Sequence, residues 1–196
     1  ALTSILRQRV PADLKFELII VDGYSSDRTL DIVVSYLGRF REKFREAFIG
    51  YYILQESVSI GYARNLALKI AKGDWILWVD SDNILSSDYF QQIAEALRTL
   101  DDRTVVLYPH RVIPIHHKNN KWSKALACYE LSQSQLADHI VRRSLLYLPY
   151  TAMQGTVCRT NILRLIGGFD SRLVAAEDID LYFRLIREGY RMRPFK

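Results

Sequence analysis

The side chains with most chemical potential here are carboxylates. In "WILWVDSDN", residues 75 to 83, five apolar residues run directly into Asp80, Ser81 and Asp82. Two carboxylates this close repel each other, so their placement suggests a cation between them. Mg²⁺ takes oxygen ligands and is usually held by one or two carboxylates plus substrate phosphates. Manganese suits the same hard oxygen donors. Asp80 and Asp82 are therefore the candidate metal ligands, with Mn or Mg as the expected cofactor. A second acidic turn, Asp22 with Ser25, Ser26 and Asp27, closes the apolar stretch "KFELIIV" (15–21). A third acidic group, Glu177, Asp178 and Asp180, opens an amphipathic segment near the end of the chain. The plainer alternatives are that Asp80 and Asp82 merely close a turn, and that Glu177 to Asp180 dress the first turn of a helix, where carboxylates favour the dipole.

These groups need elements to aim them. Four consecutive aliphatics in "KFELIIV" predict a strand buried on both faces. Leu30, Val33, Leu37, Phe40 and Phe44 recur at spacings of three and four, which predicts a helix lying on a core. "YYILQ" (51–55) reads as a short strand, and "GYARNLALKIAKG" (61–73) as a helix stopped by Gly73. "WILWV" (75–79) is the next strand, with Trp75 and Trp78 as core aromatics. A helix follows Ser86, Ser87 and Asp88, with Phe90, Ile93 and Leu97 facing inward, and "TVVLYP" (104–109) is a further strand. Strand character returns around Val157. The last helix ends near Gly189, with Ile179, Tyr182, Phe183 and Ile186 as its buried stripe, and a strand follows it. Strands alternating with helices are the signature of a mostly parallel sheet covered by helices. In such a sheet, ligands sit outside the carboxyl ends of the strands. The turns at Asp22 and Asp80 both fall on that edge.

The bulk properties narrow the classes. The chain has 196 residues, enough for one domain with a sizeable core, and is 49% hydrophobic and 25% charged. No apolar run approaches the roughly 18 residues of a membrane span, and no signal peptide opens it. Cys128 and Cys158 lack metal-ligand spacing and read as free core thiols of a reducing compartment. The net charge of +5 fits phosphorylated ligands, an anionic membrane surface or nucleic acid without choosing among them. No nucleic-acid recognition motif accompanies it.

Three stretches, taken in order, resemble the inverting family-two glycosyltransferases with the GT-A fold. They are "ELIIVDGYSSDRT", "GYARNLALKIAKGDWILWVDSDN" and "IGGFDSRLVAAEDIDLYFRLIREGY". The opening "LTSILRQ" is similar to that family's first helix. The resemblance implies one GT-A domain over 1–196, with a nucleotide-binding part over about 1–109 and an acceptor part over about 110–196. It implies transfer of a sugar from a UDP-, GDP- or dTDP-sugar to a hydroxyl of a glycan, lipid-linked or other acceptor, with inversion. By the same resemblance Asp22 and Ser25 lie against the base, and Arg64 lies near the base or diphosphate. Asp80 approaches the ribose, and Asp82 binds the metal. Asp178 is the general base, with Glu177 beside it. Gly155 and the "GGFD" turn, with Gly168 and Asp170, shape the acceptor side. The chemistry agrees, because direct displacement needs a leaving group stabilised on one face and a base on the other.

The sequence also departs from that family pattern. Gly23 stands where many relatives have a second Asp that can contact uracil, which weakens the case for UDP. The family's first strand is missing before "LTSILRQ", so preceding residues are expected. Other functions stay open on the residues alone: a sugar nucleotidyltransferase, or a non-catalytic nucleotide-sugar-binding module. Arg184 reads as an internal ion-pair partner. His116 and His117 read as a solvated loop, and Trp122 could stack on an acceptor sugar. Lys118, Lys121 and Lys124 read as a solvated face that could also meet a lipid phosphate. The expected place is the cytoplasm, including the cytoplasmic membrane face as a peripheral site.

Overall fold

The computed structural model describes residues 1–109 and 153–195. The readings made above for His116, His117, Lys118, Lys121, Trp122, Lys124 and Cys128 lie outside the described residues. Helix α1 (Leu2–Leu6) precedes strand β1 (Phe16–Asp22), helix α2 (Thr29–Phe44) and a 3₁₀ turn over Arg45–Ala47. Strand β2 (Phe48–Gln55), helix α3 (Ile60–Ile70), strand β3 (Trp75–Leu77), helix α4 (Tyr89–Leu97) and strand β4 (Thr104–Pro109) follow. After the undescribed stretch come β5 (Val157–Arg159), α5 (Thr160–Leu165), α6 (Glu177–Arg187) and β6 (Arg191–Phe195).

β1 and β2 pair in parallel, with Asp22 opposite Gln55 at their carboxyl ends. The other sheet runs β3-β5-β4-β6. β5 is antiparallel to both β3 and β4, and β6 is parallel to β4. β3, β4 and β6 therefore share one direction and β5 alone is reversed, which is the mostly parallel α/β class expected. The pairing of β3 continues past its last residue: Trp78 N–H donates to Thr156 O at 2.9 Å and Gly155 N–H to Trp78 O at 2.9 Å. This fixes the chain just before Asp80.

Packing follows the helical periodicity at α2, where Val33, Leu37, Phe40 and Phe44 are buried as expected. Phe40 and Phe44 join Ile5, Phe90, Leu107 and Val157 in one apolar cluster. A second cluster holds Leu68, Trp78, Cys158, Leu163, Phe169, Leu181 and Leu185. Cys158 is the core thiol anticipated; burial pushes it up to about 12, so it holds its proton and is inert.

Three expectations need correction. The buried face of α6 is Leu181, Tyr182 and Leu185, while Ile179 and Phe183 stand 45% and 50% exposed. The apolar residues of that helix form two overlapping stripes at spacings of three and four. The turn at Gly168 and Phe169 selects the one headed by Leu181. β1 is half-buried along most of its length, not buried on both faces. α3 stops at Ile70, before Gly73, because Ala71 leaves the helix with ψ 132°. The Glu17 carboxylate then accepts the N–H groups of Lys72 and Gly73, at 2.5 and 3.2 Å.

Candidate active site

At the end of β1, Asp22 is buried and held by its own turn. Ser25 donates its hydroxyl to Oδ1 at 2.5 Å and its N–H to Oδ2 at 3.1 Å. Gln55, across the parallel pair, adds its Nε2 to Oδ2 at 3.2 Å. Hydrogen bonding by Ser25 leads in holding the Asp22 carboxyl below the ordinary carboxylate value, because these donors favour the charged form. One residue on, Gly23 leaves space where a side chain could stand: nothing lies within 4 Å of a Cβ built there. Asp27 accepts from the N–H and hydroxyl of Thr29, at 2.9 and 2.6 Å, and closes the turn onto α2.

The second acidic turn follows β3. Asn83 ties it: its Oδ1 accepts from Asp80 N–H at 3.2 Å, and its Nδ2 donates to Asp82 Oδ1 at 3.2 Å. Asp80 is half-exposed and Asp82 exposed. Among the described residues, no three or more Asp, Glu, His or Cys side chains are arranged to hold a metal ion. The turn thus offers two hard carboxylates with open faces, a donor set suited to Mg²⁺ or Mn²⁺ that completes its shell from phosphate and water.

The third acidic group is brought to the second by Arg64 on α3. Its Nη1 donates to Glu177 Oε1 at 2.5 Å, and its Nη2 lies 3.6 Å from Asp80 Oδ1. Arg64 and Glu177 side chains are only 11% and 9% exposed. Glu177 is the first residue of α6, and Ala176 before it takes a left-handed φ of 63°. Asp178 is half-buried; its Oδ2 accepts from Met153 N–H at 3.3 Å and its Oδ1 from Ile179 N–H at 2.8 Å. Arg64, Asp80 and Glu177, separated along the chain, thus meet in one place. Asp22 belongs to the neighbouring carboxyl end of β1, which α3 also packs against.

The "GGFD" turn supports this meeting point. Asn65 donates to Phe169 O at 2.7 Å and accepts from Phe169 N–H at 2.8 Å. Gly168 adopts φ +68°, and a Cβ there would collide with Asn65 Oδ1, so only glycine fits. Phe169 packs edge-on against Trp78 at 5.3 Å and lies under the Arg64 guanidinium at 5.5 Å. Asp170 is taken by Arg172 through two side-chain bonds of 2.9 and 2.7 Å, which lead in lowering its carboxyl to about 2. Gly155 is buried; it too has a positive φ, a Cβ would strike the Tyr89 hydroxyl, and Tyr89 donates to its carbonyl at 2.6 Å. Arg184 binds Asp180 Oδ2 and the carbonyls of Ile166 and Gly168, the internal role read for it above.

The comparisons with known proteins bear on this arrangement. The model of the family described as "Glycosyl transferase family 2" matches residues 1–136, more than half of the chain. The chain belongs to glycosyl transferase family 2. This family-two domain is 31% identical over 137 residues to the pre-mycofactocin glycosyltransferase of Mycobacterium tuberculosis, covering 67% of the chain and 27% of that protein. It is 36% identical over 90 residues to the poly(ribitol-phosphate) beta-glucosyltransferase of Bacillus spizizenii, covering 44% of the chain and 13% of that protein. The chain therefore spans only about a quarter or less of these relatives. In fold it is similar to the Pyrobaculum calidifontis mannosyltransferase PcManGT, solved with GDP-Man and Mn²⁺. The TM-score is 0.68 at 18% identity, over 98% of this chain and 49% of that one. Staphylococcus aureus TarS with UDP gives 0.56 at 24%, over 93% and 50%. Both support the GT-A architecture.

Several residues of this family-two site escaped the sequence reading. Gln55 was seen only as the end of a strand; its place beside Asp22 depends on register. Asn65 stood inside the quoted "ARN", but nothing local announced that it would pin Phe169. Arg164 caps α3 by donating to Leu68 O at 2.7 Å and to Ala71 O, a contact made across a long chain separation.

Proposed function

We propose that this domain transfers a sugar from a nucleotide-diphosphate donor to an acceptor hydroxyl with inversion, assisted by Mg²⁺ or Mn²⁺. The observation that carries the reading is Arg64, whose guanidinium joins the acidic turn after β3 to the first turn of α6. Asp80 on the donor side and Glu177 on the acceptor side thus meet at one cation, which supports the proximity a single displacement requires. Asp82 and Asp80 would hold the metal, whose charge offsets that developing on the diphosphate as it leaves. Asp22, Ser25 and Gln55 form the wall for the base. Arg64 stands by the diphosphate, a role suited to a planar, permanently charged fork. Asp178 takes the proton of the attacking hydroxyl, and the turn at Gly168 and Asp170, with Gly155 behind it, frames the acceptor. No covalent sugar–protein intermediate is involved, so the anomeric centre inverts.

UDP-, GDP- and dTDP-sugars are the donor classes proposed; related folds hold UDP and GDP-Man. By their names, relatives act on pre-mycofactocin and on poly(ribitol-phosphate), which favours a hydroxylated acceptor here. No helix among the described residues is long and apolar enough to cross a membrane. Peripheral contact with an anionic membrane face rests on the charge of +5.

The test is a donor panel with Mn²⁺, followed by product analysis. Asp82→Ala is expected to abolish metal-dependent stabilisation by nucleotide. Asp178→Asn is expected to keep donor binding and lose about 10²–10⁴-fold in turnover. Normal turnover by Asp178→Asn would place the base elsewhere. Release of pyrophosphate in place of a nucleoside diphosphate would make the chain a nucleotidyltransferase.

A further inference from the structure

We propose that Glu177 is a positioning residue that holds the Arg64 guanidinium ready for the donor diphosphate, and that it takes no proton itself; this rests on the transferase reading above. The two acidic residues that open α6 sit in different surroundings. Glu177 is 7% exposed, and its Oε1 takes a 2.5 Å bond from Arg64. A carboxylate committed to a buried cation is a poor proton acceptor for an incoming hydroxyl. Asp178 is half-buried and, among the described residues, accepts from the backbone N–H groups of Met153 and Ile179.

Arg64 is fixed from two directions. Glu177 takes Nη1, the Phe169 ring lies 5.5 Å below the guanidinium carbon, and Phe169 is itself pinned by two bonds to Asn65. The third direction is loose. Nη2 stands 3.6 Å from Asp80 Oδ1, beyond hydrogen-bonding reach. A guanidinium carries five N–H donors in a rigid fork. Donors on the Asp80 side can therefore turn to a phosphate oxygen while Nη1 stays with Glu177. Without the charge of Glu177, the buried cation has Asp80 as its remaining carboxylate neighbour among the described residues. It would close on that carboxylate, remove it from the metal turn and withdraw its own donors from the diphosphate. Loss of Glu177 is thus read in donor affinity, whereas loss of the base is read in turnover.

The experiment uses the full-length protein. Wild type, Glu177→Gln, Glu177→Asp, Arg64→Gln and the Arg64→Gln/Glu177→Gln double variant are compared. Binding of UDP and GDP with Mn²⁺ is measured by calorimetry. Donor KM and kcat are measured on whichever of UDP-glucose and GDP-mannose is turned over. Glu177→Gln should weaken nucleotide binding and raise donor KM at least tenfold, with kcat at saturating donor within about threefold of wild type. Glu177→Asp, which keeps the charge on a shorter stem, should recover part of the affinity, and it carries the same comparison if Glu177→Gln does not fold. The double variant should bind no more weakly than Arg64→Gln. Unchanged affinity with lost kcat in Glu177→Gln would make Glu177 the base and overturn the proposal. So would full additivity of the two substitutions. If wild type binds nucleotide but turns over no donor, the transferase reading falls while the binding cycle still decides the bridge. If wild type binds neither nucleotide, both fall.

Discussion

Asp170 and Asp178 both come from the acidic motifs of the last part of the chain, yet their surroundings differ. Asp170 gives both carboxylate oxygens to Arg172, whose hydrogen bonds lower its carboxyl to about 2. The unfolded value is about 3.9, so the folded state binds the proton less tightly. The contribution of Asp170 to stability is therefore complete above about pH 4 and is lost as pH falls towards 2. Arg172 is exposed, so the effect is modest. Asp170→Asn should narrow the stability gap to wild type across pH 4 to 2 and leave it flat from pH 5 to 7. Urea unfolding at a series of pH values measures this; a gap that persists unchanged at pH 2.5 would show that Asp170 does not titrate this way. Acidic residues were easy to find in the sequence because carboxylates beside an apolar strand are conspicuous. The residues that organise them, Asn65 and Gln55, were not. Their importance lies in partners that only the folded chain brings near.

Elements were legible where the hydrophobic pattern admitted one solution. α2 offers one stripe, Leu30 to Phe44, of which Val33, Leu37, Phe40 and Phe44 are buried and Leu30 is half-buried. β1 runs to Asp22, one residue past the expected end, and β3 stops at Leu77, two residues short of Val79, although its pairing continues at Trp78; charge following the aliphatics abruptly marks both ends only to within a residue or two. α6 shows the opposite case. Ile179, Leu181, Tyr182, Phe183, Leu185 and Ile186 satisfy two faces, and the helix alone cannot choose between them. Its choice follows from the partner surface, where Leu181, Tyr182 and Leu185 join Leu163 and Phe169. This assignment is testable through stability. Leu185→Ala, at a fully buried position, should cost about 2–5 kcal/mol. Ile179→Ala, at an exposed one, should stay within about 0.5 kcal/mol. Equal losses in urea unfolding would mean that α6 is rotated from the orientation described.

At the scale of the molecule, the site is a junction between two apolar clusters with different duties. One, built on Phe40, Phe90 and Leu107, lies behind α2 and α4. The other, with Trp78, Phe169 and Leu185, lies directly under Arg64 and the acidic groups it joins. Trp78 leads into the acidic turn after β3, and Phe169 belongs to the turn that reaches α6, so this second cluster links the proposed donor side to the proposed base. A ligand that engages Asp80, Arg64 and the α6 terminus should therefore tighten one region selectively. Nucleotide at about 100 times its Kd adds about 2.7 kcal/mol, which for a domain this size corresponds to about 5–10 °C in Tm. Hydrogen exchange should show where that energy is felt. With Mn²⁺ and a bound UDP or GDP, amides in 22–27, 59–64, 78–83 and 168–179 should slow, while those of α2 keep their rates. The order follows from opening free energies, which differ between regions that exchange independently. Protection spread evenly over both clusters would mean that ligand stabilises the fold as a unit. Protection confined to 22–27 would mean that the base alone is bound and that Arg64 does not reach the diphosphate.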